Sequence, residues 1–108
     1  MKLEGKKVLV VGAGKSGIAA SELLLDKKIE TVLYDGNKDL DVEKLYEKAP
    51  KLKGMPVLLG ELTDEQLRAF DVAVLSPGVP TDLPVVERMR AQNVCIWGEI
   101  ELAYSFAK

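Results

Sequence analysis

Short, nearly uninterrupted apolar runs recur along the chain, and the spacing between them leaves room for intervening helices. Three runs are rich in β-branched residues and lack the alternation of apolar and polar positions that a half-exposed strand shows. They predict strands that are covered on both faces, and two further apolar segments predict strands as well. The three runs are residues 8–11, 72–75 and 94–97, and the two further segments are residues 31–34 and 57–59.

The segments between these runs carry apolar residues at the three- and four-residue spacing of a single helix face. Strands that alternate with helices form βαβ units, whose right-handed crossovers lay the strands parallel and place helices on both faces. The predicted fold is therefore α/β, a Rossmann-like, doubly wound parallel sheet of about five strands. The helix-face residues are Gly17, Ala20 and Leu24; Val42, Leu45 and Tyr46; Leu67 and Phe70; Val85, Val86 and Met89; and residues 100–104.

Two helix starts can be predicted from local chemistry. Thr63 and Gln66 match a capping box, in which the threonine hydroxyl accepts from the Gln66 amide and the glutamine side chain reaches back. Asp82, followed by Leu83 and Pro84, is a second predicted start, because proline is tolerated in the first turn of a helix.

A glycine motif directly follows the first predicted strand and opens a predicted helix. Gly12, Gly14 and Gly17 form G-x-G-x-x-G in the context that dinucleotide-binding folds require. The first glycine permits a tight turn, the second lets a ligand approach the backbone, and the third lets the helix pack against the sheet. Amide groups of the first helical turn then favour an anionic ligand. Asp35 lies at the end of the second predicted strand, where such folds place an acid that accepts hydrogen bonds from the ligand.

Other interpretations of these residues stay open. The glycines could serve only to pack the helix on the sheet, and Asp35 could serve only the turn that follows it. Lys15 could lean toward a diphosphate or remain a solvated surface lysine. A Walker A loop is excluded because Leu9 stands where that motif needs a glycine.

A second loop of interest, residues 76–80, follows the fourth predicted strand and has the sequence Ser-Pro-Gly-Val-Pro. If the strands are parallel, this loop leaves the sheet at the same edge as the glycine motif, where open α/β sheets bind ligands. The Ser76 hydroxyl and the Gly78 amide could meet a phosphate or a sugar, although a rigid connection explains the residue types equally well. Trp97, at the end of the last strand, is interpreted as an edge of the core rather than a stacking surface.

The composition of the chain excludes several classes of function. The chain has 108 residues, a net charge of −2, one cysteine and no histidine. It is sized for one domain and lacks the basic field that nucleic acid binding needs. Without histidine it cannot build a Ser-His-Asp triad, a Cys-His pair or a Cys/His zinc site. Cys95 is interpreted as a small apolar residue in a buried strand. With neither a signal peptide nor a membrane span in the sequence, a cytoplasmic protein is expected.

Three motifs together resemble the first domain of the Mur ligases, most closely the members that add D-glutamate to UDP-N-acetylmuramoyl-L-alanine. They are the glycine motif at residues 12–17, Ser-Pro-Gly-Val-Pro at residues 76–80, and Trp-Gly-Glu-Ile-Glu-Leu at residues 97–102. The resemblance covers essentially the whole chain. It implies a domain that binds the UDP part of a nucleotide-sugar, within an enzyme that forms an amide through an acyl phosphate, with ATP and magnesium, in cytoplasmic peptidoglycan synthesis.

The resemblance also implies a site and a domain organisation. Residues 1–108 would form the UDP-binding domain, with a helix at residues 98–108 leading toward central ATP-binding and C-terminal domains. The chain alone would have no ligase activity, bind no cofactor or metal of its own, and be a monomer. The alternative, which the glycine motif and Asp35 alone would favour, is an NAD-binding module of an oxidoreductase or a regulatory ligand sensor. The predicted substrate contacts are Gly14, Lys15, Ser16, Gly17, Asp35, Gly36, Asn37, Ser76, Pro77 and Gly78.

Overall fold

Strands and helices alternate along the whole of the computed structural model, which describes residues 3–80 and 83–105. A short 3-10 turn, Pro50–Leu52, precedes the third strand. The strands are β1 (Lys7–Val11), β2 (Glu30–Asp35), β3 (Val57–Leu59), β4 (Val72–Leu75) and β5 (Cys95–Trp97). The helices are α1 (Lys15–Asp26), α2 (Val42–Lys48), α3 (Asp64–Arg68), α4 (Pro84–Ala91) and α5 (Glu99–Ser105).

The five strands form one sheet in the order β3-β2-β1-β4-β5, and every neighbouring pair is parallel. The predicted Rossmann-like α/β fold is confirmed. Because the chain runs outward from β1 in one direction and then returns to β4 on its other side, the topology switches between these two strands. Open α/β sheets bind their ligands at such a switch point, outside the carboxyl ends of the strands.

The sheet is covered on both faces, and alternate residues of each inner strand enter different cores. On one face, Val8 and Val10 pack with Leu24 of α1, and Leu45 of α2 and Leu102 of α5 belong to the same core. On the other face, Leu9 and Val11 pack in the core that holds α3 and α4. Full burial of one such side chain stabilises the fold by roughly 1.5–3 kcal/mol. The three central strands β1, β2 and β4 therefore provide a rigid base for the loops that follow them.

The predicted strand at residues 94–97 is confirmed as β5, but it is less buried than predicted: Cys95 and Trp97 pack against one core and Ile96 against the other, and the cover is partial on both faces. All three residues of β5 are only half-buried, including Cys95. The physical reason is that β5 pairs with β4 alone and forms an edge of the sheet. Val94 is buried but precedes the strand. The Trp97 side chain packs against the α1 side of the core, in agreement with its interpretation as an edge of the core.

The predicted helix starts have different outcomes. The Thr63 capping box is confirmed: the Thr63 hydroxyl accepts from the Gln66 amide at 3.1 Å, and the Gln66 side chain accepts from the Thr63 amide at 2.8 Å. Helix α3 ends at Arg68, so Phe70 lies beyond it, although its side chain is buried as predicted. Helix α4 begins at Pro84 with Leu83 as its N-cap, and the predicted start at Asp82 lies outside the described residues.

Candidate functional site

Three loops meet at the carboxyl edge of the central strands. The glycine loop (residues 12–17) follows β1, the β2 loop (residues 35–37) begins at the last residue of β2, and the β4 loop (residues 76–80) follows β4. Since these strands are adjacent and parallel, all three loops leave the sheet at the same edge. The structure thus brings together the segments that contain every predicted contact residue, at the topological switch point.

Two glycines of the glycine loop are required by the backbone geometry. Gly12 has a φ of +103°, a conformation that side chains rarely adopt, and a Cβ on it would lie 3.0 Å from the Ser76 Oγ atom. A Cβ on Gly17 would lie 1.8 Å from the Gly12 carbonyl oxygen. The first turn of α1 therefore packs directly on the loop, which confirms the packing role predicted for Gly17.

Gly14 has different surroundings. It is the exposed N-cap of α1, with a φ of −77°, and apart from its chain neighbours and the adjacent helix backbone no described atom lies within 4 Å of the position that its Cβ would take. Neither backbone strain nor packing within the described chain explains a glycine there. Open space beside the backbone is the property that close approach of a ligand needs.

The start of α1 favours negative charge. By helix geometry the amides of the first turn, from Gly14 to Gly17, have no acceptor within the helix. The first turn, which lies wholly within the described residues, contains no acidic side chain, and Lys15 is exposed at its first position. The half-buried Ser16 follows Lys15. Helix dipole, amides and lysine all favour an anion at this position.

Asp35 connects two of the loops. One carboxylate oxygen accepts from the Ala13 amide at 2.9 Å, and the other accepts from the Asn37 amide at 2.8 Å. The turn interpretation of Asp35 is therefore part of its role, but the bond to Ala13 also ties the glycine loop to the β2 loop. Sequence reasoning missed this bond, because no pattern records which backbone amide a side chain will meet. Gly36 and Asn37 are exposed beside it.

The β4 loop supports the glycine loop from the other side. The Ser76 hydroxyl lies 3.5 Å from the Gly12 carbonyl oxygen, a long hydrogen bond, and close to the space that side chains on Gly12 and Gly17 would fill. Ser76 is half-buried and packs against the glycine loop, whereas Pro77 and Gly78 are exposed. The loop thus combines a rigid connection with an accessible tip.

Tyr34 fixes the far side of the β2 loop. Its hydroxyl donates to the Gly60 carbonyl at 2.5 Å, and the Gly60 amide donates to the Asp35 carbonyl at 3.0 Å. Burial, together with the neighbouring Asp35 carboxylate, raises the pKa of Tyr34 above its ordinary value. The phenol therefore keeps its proton and its hydrogen bond to Gly60 well into the alkaline range.

A groove of about 810 Å³ extends from the β4 loop across the end of β5 to α5. Its walls include Ser76, Pro77, Trp97 and Ile100, and Ile100 is 77% exposed. This groove could not be predicted from the sequence, because it depends on how α5 crosses the edge of the sheet. At its rim, Glu101 accepts from the Gly98 amide at 3.1 Å and so caps the start of α5.

The described residues show neither a metal centre nor a membrane span. Within residues 3–80 and 83–105, no group of three or more His, Cys, Asp or Glu side chains is arranged to hold a metal ion. In the same part of the chain, no helix is both long and apolar enough to cross a membrane.

Comparison with known proteins decides between the two classes that the sequence left open. The family model of the Mur ligase MurD-like N-terminal domain matches residues 6–98. The chain belongs to this family. This membership favours the ligase interpretation over the NAD-binding one, and it confirms the resemblance on which that interpretation was based.

Several relatives match this chain over its whole length. The chain is 49% identical over 108 residues to a UDP-N-acetylmuramoylalanine–D-glutamate ligase of Lachnoclostridium phytofermentans, and 43% identical over 108 residues to one of Lachnospira eligens. Each alignment covers 100% of this chain and 24% of the relative. The chain therefore spans about a quarter of the length of these relatives.

Solved structures show the same fold. A pseudomurein peptide ligase type C from Methanothermus fervidus is similar with a TM-score of 0.71 and 18% identity, over 94% of this chain and 20% of that one. A 3-hydroxyacyl-CoA dehydrogenase from Archaeoglobus fulgidus is similar with a TM-score of 0.65 and 21% identity, over 93% of this chain and 38% of that one. Ligases and dehydrogenases thus share this architecture.

Proposed function

We propose that this chain is the UDP-binding domain of a UDP-N-acetylmuramoylalanine–D-glutamate ligase. The observation that carries the proposal is the match, over the full chain, to relatives of that name. The structure supports it by placing the three loops together at the switch point of the sheet, where α/β folds bind ligands.

The glycine loop suits the diphosphate of the nucleotide. The open space beside Gly14 lets a phosphate reach the first-turn amides, up to Gly17, and Lys15 and Ser16 add a cation and a hydroxyl. The diphosphate group carries its negative charge in a small volume. The backbone amides at the start of α1 are already fixed in place, so they can bind this charge without rearrangement. The diphosphate would lie across the start of α1.

The β2 and β4 loops would hold the uridine part from either side. On the β2 side, Gly36 and Asn37 provide exposed backbone and side-chain groups beside the half-buried Asp35. On the β4 side, Pro77 and Gly78 form the accessible tip of the loop, while the half-buried Ser76 packs against the glycine loop. Apart from its chain neighbours, no described atom lies within 4 Å of a Cβ on Gly78, so its backbone can approach a ligand closely.

The rest of the reaction belongs to the remainder of the full-length enzyme. The relatives are about four times as long as this chain, and we expect ATP, magnesium and D-glutamate to bind in covalently attached domains beyond residues 1–108. This domain would hold the muramoyl carboxylate where it can take the γ-phosphoryl group of ATP, with release of ADP, and where the amine of D-glutamate can then displace inorganic phosphate to form the amide. Its contribution is positioning, so the chain alone should be inactive. We place the full enzyme in cytoplasmic peptidoglycan synthesis and expect this domain to be monomeric.

Calorimetric titration of the chain with UDP, UDP-N-acetylmuramoyl-L-alanine and NAD tests the proposal. Both UDP compounds should bind and NAD should not. Lys15→Ala should weaken UDP binding roughly two- to fivefold, as expected for one exposed charge contact. Lys48→Ala removes the same charge at the end of α2, away from the three loops, and should leave affinity unchanged. Binding of NAD alone, or equal effects of the two variants, would contradict the proposal.

A further inference from the structure

The glycine loop depends on a carboxylate that it does not itself contain. Asp35 accepts from the Ala13 amide at 2.9 Å and from the Asn37 amide at 2.8 Å, so its two oxygens hold two loops at once. Ala13 lies between Gly12, whose φ is positive, and the exposed N-cap Gly14. Its amide is therefore fixed at the point where the chain turns from strand into helix.

The hydrogen bond between the Ala13 amide and the Asp35 carboxylate orients the backbone of the glycine loop. The Gly12 amide donates to the Tyr34 carbonyl at 2.7 Å, and the Ala13 amide donates to the Asp35 carboxylate, so two consecutive amides face β2. The amides that follow, from Gly14 onward, are those at the open start of α1. Hydrogen bonds to an ionised carboxylate are stronger than neutral ones, so the second of the two bonds is well suited to fix the turn.

We propose that Asp35 is a positioning residue, whose carboxylate holds the glycine loop in the conformation that binds an anion. This inference takes the class of ligand from the proposed function, but the bond it depends on exists without a ligand. The carboxylate does not need to touch the phosphates, and its charge would repel them if it did. Its effect on anion binding passes through the backbone of Ala13.

Hydrogen exchange without ligand tests the bond itself. In Asp35→Ala, the Ala13 amide should exchange at least about tenfold faster, because the variant removes a charge-assisted hydrogen bond. Asp35→Asn retains only one carbonyl acceptor and should protect one of the two amides less than the wild type does. Asp39→Ala is the matched control. It removes an exposed carboxylate from the same segment, while the backbone amide of residue 39 can still donate its hydrogen bond to the Asn37 side chain. Unchanged exchange at Ala13 in both Asp35 variants would overturn the proposal.

Titration with inorganic pyrophosphate, followed by amide NMR shifts, tests the effect on the loop. Pyrophosphate has no base or ribose that Asp35 could contact. If Asp35 positions the loop, Asp35→Asn should weaken pyrophosphate binding at least threefold, even though it removes a negative charge. If the carboxylate acted only through its charge, the same variant would bind pyrophosphate more tightly, and this result would overturn the proposal.

The two arms separate this inference from the proposed function. If the wild type failed to bind UDP, the proposed function would fail, yet the exchange rate of the Ala13 amide would still decide whether Asp35 holds the loop. A second outcome is that the wild type binds UDP, and that Asp35→Asn weakens the binding of uridine but not that of pyrophosphate. The proposed function would then stand. Asp35 would then be a ligand contact rather than a positioning residue.

Discussion

Replacing Gly17 by alanine would put a methyl group where the backbone of the glycine loop already lies. The new Cβ would be 1.8 Å from the Gly12 oxygen and 2.9 Å from the Gly12 carbonyl carbon, whereas ordinary van der Waals contact begins at 3.4 Å. Both atoms belong to the backbone and cannot rotate away, so α1 or the loop must move. We take about 3 kcal/mol for this overpacking, the upper part of the usual range. Against it stands a gain of about 1 kcal/mol from replacing a helical glycine by alanine.

The net loss of about 2 kcal/mol is large beside the 5–15 kcal/mol that typically stabilises a domain. Urea unfolding followed by circular dichroism should detect it, and the melting temperature should fall by roughly 10 °C. Gly14→Ala is the matched control. Its Cβ would meet open space, so the stability cost should stay near 0.5 kcal/mol, the cost of alanine at an N-cap, while UDP affinity falls about tenfold. Wild-type stability in Gly17→Ala would show that α1 does not pack directly on the glycine loop at this position.

Two further changes test the structure away from the glycine loop. Thr63→Ala removes one half of the α3 capping box and should lower the free energy of unfolding by about 1 kcal/mol in urea, whereas Thr63→Ser should not. Tyr34→Phe removes the bond to the Gly60 carbonyl and should cost about 1 kcal/mol at neutral pH. Because the folded state raises the pKa of Tyr34, its contribution is complete below about pH 10 and is lost as the pH rises above that value. The stability of the variant should therefore fall less steeply than that of the wild type at alkaline pH, and parallel curves would contradict the assigned role of Tyr34.

The parts of the fold that the sequence predicts are those fixed by local rules. Continuous apolar runs predicted the central strands, since strands covered on both faces need apolar residues at every position. Thr63 and Gln66 predicted the start of α3 to the residue, because both halves of a capping box lie within four residues of each other. The glycine motif predicted the turn after β1, and the φ of Gly12 and the packing of Gly17 give its physical reason.

The parts that the sequence did not predict depend on contacts between distant residues. The apolar run that ends in Trp97 resembles a buried strand, but burial depends on having a neighbour on both sides, and β5 has only one. The bond from Ala13 to Asp35 joins residues 22 positions apart, and the contact between Ser76 and Gly12 joins residues 64 positions apart. The groove beside α5 likewise follows from tertiary packing and not from any local pattern.

A residue-resolved map of nucleotide binding shows whether UDP binds at the three loops. Amide NMR spectra of the 108-residue chain would be recorded with UDP, UDP-N-acetylmuramoyl-L-alanine and NAD in parallel. We expect shifts at residues 14–17, 35–37 and 76–78 with both UDP compounds and none there with NAD. Shifts at these residues with NAD alone, or UDP-induced shifts confined to other parts of the chain, would contradict the proposed function.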